Sequence, residues 1–174
     1  MGNWKLKSGV ILALVIVAMS LKSDIGGPRN LGPTVNSKYS DFGPIVSADG
    51  KSLYFTSDRA GGFGGQDGWM SRKTAGEWGE PANLGQPFST ELNEGPDCFT
   101  PDEQTMFFTG CNRKDGLGRC DIYVTNREGD KWSTPKNLGA PINSKYNDAN
   151  ASISSDGKVL YFCSDRPGGL GGWD

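Results

Sequence analysis

The sequence predicts an all-β fold: a β-propeller of four-stranded antiparallel blades. Three observations predict it. Asn-Leu-Gly recurs at Asn30-Leu31-Gly32, Asn83-Leu84-Gly85 and Asn137-Leu138-Gly139, a period of about 53 residues, which suits one four-stranded unit. The stretch 30–67 aligns without a gap on 137–174 at roughly 60% identity. The apolar residues come in short runs in a chain holding 26 glycines and 10 prolines, a pattern of short strands and tight turns. Four antiparallel strands repeated around an axis describe a propeller. Solenoid coils are shorter than this period, and a sandwich does not repeat its own sequence.

Each repeat divides into the same pieces. A first strand is read at Ile45-Val46-Ser47, Cys98-Phe99-Thr100 and Ser152-Ile153-Ser154. Asp49-Gly50 and Asp156-Gly157 then mark hairpin turns, because both residue types tolerate positive φ. Pro101-Asp102 replaces them in the middle copy and suits a type I turn with Pro second. The second strands are Leu53-Tyr54-Phe55, Met106-Phe107-Phe108 and Leu160-Tyr161-Phe162, apolar enough for a sheet buried on both faces. A Gly-rich loop follows at 58–65 and 165–172. The third strand starts after Asp67 or Asp121 and is clearest at Ile122-Tyr123-Val124. The fourth contains Trp78 or Trp132 and then Pro81 or Pro135; proline lacks the ladder donor, so this strand belongs at an edge.

The repeats run over about 30–82, 83–136 and 137–174, within a propeller region at 28–174. The middle copy is more divergent and carries one extra residue near Cys111. About two and a half blades cannot close a ring of four to eight, so the chain reads as the N-terminal piece of a longer protein. In a complete ring, Pro28 to Gly32 would finish the last blade; otherwise it is a linker.

Residues 1–27 differ from the rest. Lys5 and Lys7 precede an apolar run from Val10 to Leu21, the form of a secretory signal. Ala18 and Ser20 are spaced for a cut after Ser20. The run is short against the roughly 20 residues of a spanning helix, and an uncleaved anchor at 10–21 is the alternative. No cysteine follows the run to carry a lipoprotein anchor.

Net charge is −2 with no basic block, so no nucleic-acid partner is expected. The chain has no histidine, which removes the commonest general base and most transition-metal sites.

The pattern Ser-x-Asp-Gly-Lys-x-Leu-Tyr-Phe-x-Ser-Asp-Arg, then Gly-Gly-x-Gly-Gly and Asp, stands at Ser47–Asp67 and, with Val159 inside it, at Ser154–Asp174. It resembles the WD40-like repeats of TolB-type propellers. Similar repeats occur in envelope proteins that join such a propeller to an OmpA-like peptidoglycan-binding domain. The resemblance covers everything after about Gly27. It implies an exported scaffold, periplasmic or outer-membrane-associated. Its partners would be envelope proteins or peptidoglycan-associated components, and it would touch the membrane only through the N-terminal segment. It implies no reaction and no cofactor. The alternative is a propeller-type glycoside hydrolase, or the propeller domain of a larger hydrolase.

Several side chains are candidates for chemistry. Gly61 to Asp67 is similar to the Gly-Gly-x-Gly-x-Asp calcium repeat with one extra residue before the Asp. Asp58, Asp67, Asp165 and Asp174 are the calcium candidates it offers. A phosphate loop would need a following Lys-Ser/Thr and a helix, and neither is present. The preferred reading is structural: the glycines allow a tight excursion, and Asp58 pairs with Arg59 or caps the turn. Cys111 and Cys120 flank the same loop on neighbouring strands and are expected to form a disulfide, worth roughly 2–3 kcal/mol in the chain-entropy model. Cys98 and Cys163 lie in apolar strands and read as buried thiols. Asp41, Asp97, Asp148, Asp67 and Asp121 recur at equivalent or nearly equivalent places. A single active site needs unlike groups, so carboxylates that follow the repeat read as structural. The sialidase Asp box is absent. Trp69, Trp78, Trp132 and Trp173 read mostly as packing residues, and Trp4 lies in the leader.

Overall fold

The computed structural model describes residues 27–174; the leader, with Lys5, Lys7, Trp4 and the run from Val10 to Leu21, lies outside the described residues. Leu31–Asp174 is a unit by itself. It is all-β, with no helix among the described residues.

Three antiparallel sheets follow one another along the chain. The first places β1 (Asp41–Val46), β2 (Ser52–Ser57) and β3 (Asp67–Thr74) side by side in chain order. Two short pieces, β4 (Glu77–Trp78) and β5 (Ala82–Asn83), both pair with β3. The second repeats this with β6 (Asn93–Phe99), β7 (Thr105–Cys111) and β8 (Cys120–Glu128), and with β9 (Lys131–Trp132) and β10 (Lys136–Asn137) on β8. The third is the hairpin of β11 (Asp148–Ile153) and β12 (Leu160–Ser164).

Two differences from the sequence expectation have physical causes. The expected fourth strand is broken in two. Pro81 and Pro135 cannot donate to the ladder, and in the first sheet Gly79 alone holds the gap, its N–H donating to Arg72 O at 2.8 Å. The first strands begin about four residues earlier than Ile45, Cys98 and Ser152. Each carries a bulge, between Phe42 and Ile45, Pro96 and Cys98, and Ala149 and Ser152. An extra residue breaks the period-2 alternation by which a strand is read from sequence. Gly43 (φ 62°) and Asn150 (φ 56°) take the left-handed backbone there.

The turns after the first strands are four-residue reversals. Gly50 N donates to Ser47 O at 2.8 Å and Gly157 N to Ser154 O at 2.8 Å, with both glycines at positive φ. Asp49 does not take positive φ. Its carboxylate instead accepts from the Ser47 hydroxyl at 2.6 Å and Lys51 N at 2.9 Å. In the middle repeat Glu103 N donates to Thr100 O at 2.8 Å, with Pro101 second in the turn as expected, and Glu103 takes the position of Gly50 at φ 55°.

The core lies between sheets. Ile45, Tyr54 and Met70 share one face of the first sheet through their register. They pack with Phe99, Met106, Phe108 and Tyr123 of the second sheet. Tyr54 and Phe99 meet with ring centroids 4.7 Å apart, an aromatic pair worth about 0.5–1.5 kcal/mol beyond its buried area. The opposite face of the first sheet carries Leu53, Phe55 and Trp69, with Val35 over them.

Candidate functional site

The repeated carboxylates are occupied by a latch. Asp41 opens β1, and its Oδ1 receives Arg59 Nη2 at 2.5 Å and the Ser57 hydroxyl at 2.7 Å. Its other oxygen receives Ser37 N at 2.6 Å and the Ser37 hydroxyl at 2.9 Å. Asp148 repeats this with Arg166 (2.6 Å) and Ser144 N (2.7 Å). Glu94 repeats it with Arg113 (3.0 Å) and Thr90 N (2.9 Å). Each arginine also lies over an aromatic ring of the second strand: Arg59 over Phe55 at 4.8 Å, Arg113 over Phe108 at 5.9 Å and Arg166 over Phe162 at 5.3 Å. The latch ties the approach to each first strand to the end of the second. Burial pushes Asp41 up, but Arg59, Ser57 and Ser37 outweigh it and hold the carboxyl at about 2. For Glu94 burial wins over Thr90 and Arg113, and its carboxyl is raised.

This corrects two sequence expectations. Asp58 does not pair with Arg59: the guanidinium turns to Asp41, and Asp58 accepts from Ser40 N at 2.8 Å. Asp97 is not the middle counterpart of Asp41 and Asp148; Glu94 is. Arginines standing 18, 19 and 18 residues after the three acids identify the set. That separation, one residue longer only in the middle repeat with its extra residue, is the sequence signal that would have found it.

The Gly-rich loops are joints between sheets. Asp67 Oδ2 accepts from Phe63 N at 2.8 Å and Gly64 N at 3.2 Å. Asp121 accepts from Leu117 N at 2.8 Å, and Asp174 from Gly171 N at 2.9 Å. The folded loop then lies against the chain entering the next sheet. Gly65 N donates to Leu92 O at 2.9 Å, and Glu94 N to Gln66 O at 2.8 Å. A Cβ on Gly64 would stand 2.3 Å from Leu92 O, and one on Gly118 1.8 Å from Tyr146 O. Glycine is required here by close approach of two backbones. Of the calcium candidates, Asp58 and Asp165 accept from the backbone at Ser40 and Asn147, while Asp67 and Asp174 bind their own loops. Among the described residues no group of three or more His, Cys, Asp or Glu side chains is placed to hold a metal ion.

Cys111 and Cys120 face each other across β7 and β8 and form a disulfide with S–S 2.08 Å. Cys98 and Cys163 are free and half-buried. Burial, and then the charge of Asp97, push the Cys98 thiol up to about 11. Trp69 and Trp132 are buried, whereas Trp173 is exposed.

A half-open cavity of about 140 Å³ lies where β1 and β11 each approach β6. Thr56, Gln66, Asn93, Glu94, Asp97, Thr109 and Asn150 supply its polar lining. Asp97 occupies the bulge of β6, in the place held by Pro44 and Ala151 in the other repeats. Its Oδ2 accepts from the Thr109 hydroxyl at 2.7 Å, and Thr109 Oγ1 in turn accepts from Asn150 N at 3.1 Å. Burial raises the Asp97 carboxyl from 3.8 to about 7, against the hydrogen bonds of Thr109 and Ala151.

The Asp97 shift has a testable sign. Between pH values of about 4 and 7 the folded chain holds a proton that the unfolded chain has released. Stability therefore falls as pH rises through this window. Asp97→Asn should flatten that slope and make the variant gain on the wild type between pH 5 and pH 8, read as urea midpoints. An unchanged difference between the two pH values would show that Asp97 does not titrate in this range.

No family model and no curated protein sequence matches the chain. Among solved structures it is similar to the hydrazine synthase of Kuenenia stuttgartiensis, at 21% identity and a TM-score of 0.41, over 67% of this chain. The chain matches 35% of the length of that protein chain.

Proposed function

We propose that the chain belongs to a β-propeller that acts as a non-catalytic binding scaffold of the bacterial cell envelope. The three sheets are its blades, and the first strands β1, β6 and β11 line the axis. The observation that carries the reading is the fate of the repeated carboxylates. Asp41, Glu94 and Asp148 are each held by an arginine and by a hydroxyl residue at the entry to the strand. The cavity between the first strands offers amides, hydroxyls and the single unlatched acid Asp97. Such a lining suits recognition of a polar partner. A glycosidase needs a second carboxyl group free to act on the opposite side of the bond, and both oxygens of Glu94 are engaged. The apolar leader, the disulfide and the resemblance of the repeats to TolB-type propellers support an exported location.

The test is co-sedimentation of the purified chain with peptidoglycan sacculi and with outer-membrane vesicles, beside a screen against chromogenic glycosides. Saturable binding that weakens in Asn93→Ala, with no turnover, is the expected result. Turnover abolished by Asp97→Asn would replace the scaffold reading with the hydrolase one.

A further inference from the structure

The cavity beside β6 is one-sided in charge. Glu94 and Asp97 both line it, and none of the described residues in its lining is a lysine or an arginine. Glu94 already has its cation: its oxygens hold Arg113 and Thr90. Asp97 receives neutral donors instead, the Thr109 hydroxyl at 2.7 Å and the backbone of Ala151. Asp97 is also where the repeat breaks. Pro44 and Ala151 stand at the same bulge position in the other sheets, and neither side chain carries charge. The acids that keep the repeat, Asp41, Glu94 and Asp148, each have an arginine. A carboxyl group in a cavity without a cation of its own is matched by a cation that a ligand brings.

The rest of the lining sets the shape of that cation. Gln66, Asn93 and Asn150 contribute amides whose oxygens accept N–H donors. An ammonium head carries three donors on a compact centre, so it can meet a carboxylate and amide oxygens together, whereas a guanidinium is planar and wider. Phe42 and Pro96 add apolar surface against which a methylene stem can lie. The volume of about 140 Å³ is below the roughly 300–1,000 Å³ of pockets that enclose drug-sized molecules, and suits a side-chain tip better than a saccharide. The walls come from sheets on both sides of β6, through Phe42 and Thr56 on one and Asn150 on the other.

We infer that this cavity binds a primary alkylammonium group, the head of a lysine side chain on a protein partner, as an ion pair with Asp97. The inference rests on the reading of the cavity as a recognition site and names its ligand. It carries a pH signature. Burial keeps the Asp97 carboxyl protonated up to about 7, and the ammonium needs the carboxylate, so binding releases that proton. Affinity therefore rises with pH until Asp97 is ionised, and then levels off. Among the other ionisable groups of the first strands, Asp41 and Asp148 lie below the usual carboxylate range, and the Cys98 thiol stays protonated up to about 11. Glu94 is raised; an Asp97→Asn chain keeps it and separates its titration from that of Asp97. The facing strands β2 and β7 contribute the neutral Thr56 and Thr109.

The test is an NMR titration of the isotope-labelled full chain at pH 6 and pH 8 with Nα-acetyl-lysine methylamide, its Nε-acetylated form, propylammonium and methyl glucoside. The lysine amide is expected to shift the backbone signals of Asn93, Asp97 and Asn150 saturably, and to bind about tenfold more tightly at pH 8 than at pH 6. Acetylation of the ligand, or Asp97→Asn in a chain shown folded by circular dichroism, should weaken binding about 30-fold or more. Propylammonium that binds as well as the lysine amide supports the site with any small amine as a source; a lysine amide that binds better supports it with the side chain as the source. Equal binding of the two lysine amides, an affinity that is flat or falls from pH 6 to pH 8, or methyl glucoside as the better ligand would overturn the inference. If Asp97→Asn does not fold, the two lysine amides at the two pH values on the wild type decide alone. Retention on sacculi or vesicles with no response to the lysine amide would overturn the ammonium site and leave the scaffold reading standing, whereas turnover of a glycoside would remove the scaffold reading itself.

Discussion

Arg113→Met is expected to destabilise the chain by about 3–5 kcal/mol, the cost of leaving a buried charge without its partner. Glu94 is buried at 1% exposure, and its oxygens hold Thr90 and Arg113. Methionine preserves much of the arginine's apolar length over Phe108 and Tyr123, so the loss is chiefly electrostatic. Burial already pushes the Glu94 carboxyl up with the guanidinium in place; without Arg113 the acid must take up a proton or be hydrated. Urea unfolding at pH 7 with the disulfide intact measures the effect. The double variant Arg113→Met with Glu94→Gln should recover a substantial part of the loss, because it removes the orphaned charge. A single variant within about 1 kcal/mol of wild type, the range of an exposed ion pair, would mean that the latch is solvated and marginal.

Gly118→Ala should be nearly as damaging, by about 3 kcal/mol, at the upper range of overpacking. The added Cβ would stand 1.8 Å from Tyr146 O and 2.8 Å from Ser144 O. Both neighbours are backbone atoms in the approach to β11, where Ser144 N also binds Asp148. Neither can swing aside as a side chain tip would, so the second and third sheets must separate. Gly172→Ala is the matched control: it lies in the corresponding loop of the third repeat, and its Cβ meets nothing within 4 Å. Melting temperatures in dilute solution should fall by several degrees or more for Gly118→Ala and hardly move for Gly172→Ala. Equal behaviour of the two would mean that the loop does not seat against the next sheet as described.

The parts of the fold legible in the sequence are those that depend on near neighbours. Leu53-Tyr54-Phe55 and its counterparts form strands because the residues are apolar, aromatic and bounded by turn residues. Pro101 sits second in its turn because its fixed φ suits that position. The start of β1 at Asp41 is masked by its bulge, and the proline whose missing donor reads in the sequence as an edge position also splits the fourth strand in two. Pairing Asp58 with Arg59 failed because adjacent residues on an extended chain point apart, and the acid that reaches the guanidinium lies 18 residues away.

The period, the all-β class and the place of the second and third strands follow from the sequence alone. Each rests on side-chain type and spacing within a few residues. The folded arrangement was needed to show that Glu94 and not Asp97 completes the latch, that the glycines of the loops serve the approach of the next sheet, and that Asp97 stands in the cavity beside β6. All three depend on which residues distant in the chain come within a hydrogen bond or a van der Waals contact of one another. The bulges shift that register by a residue without leaving a mark in composition.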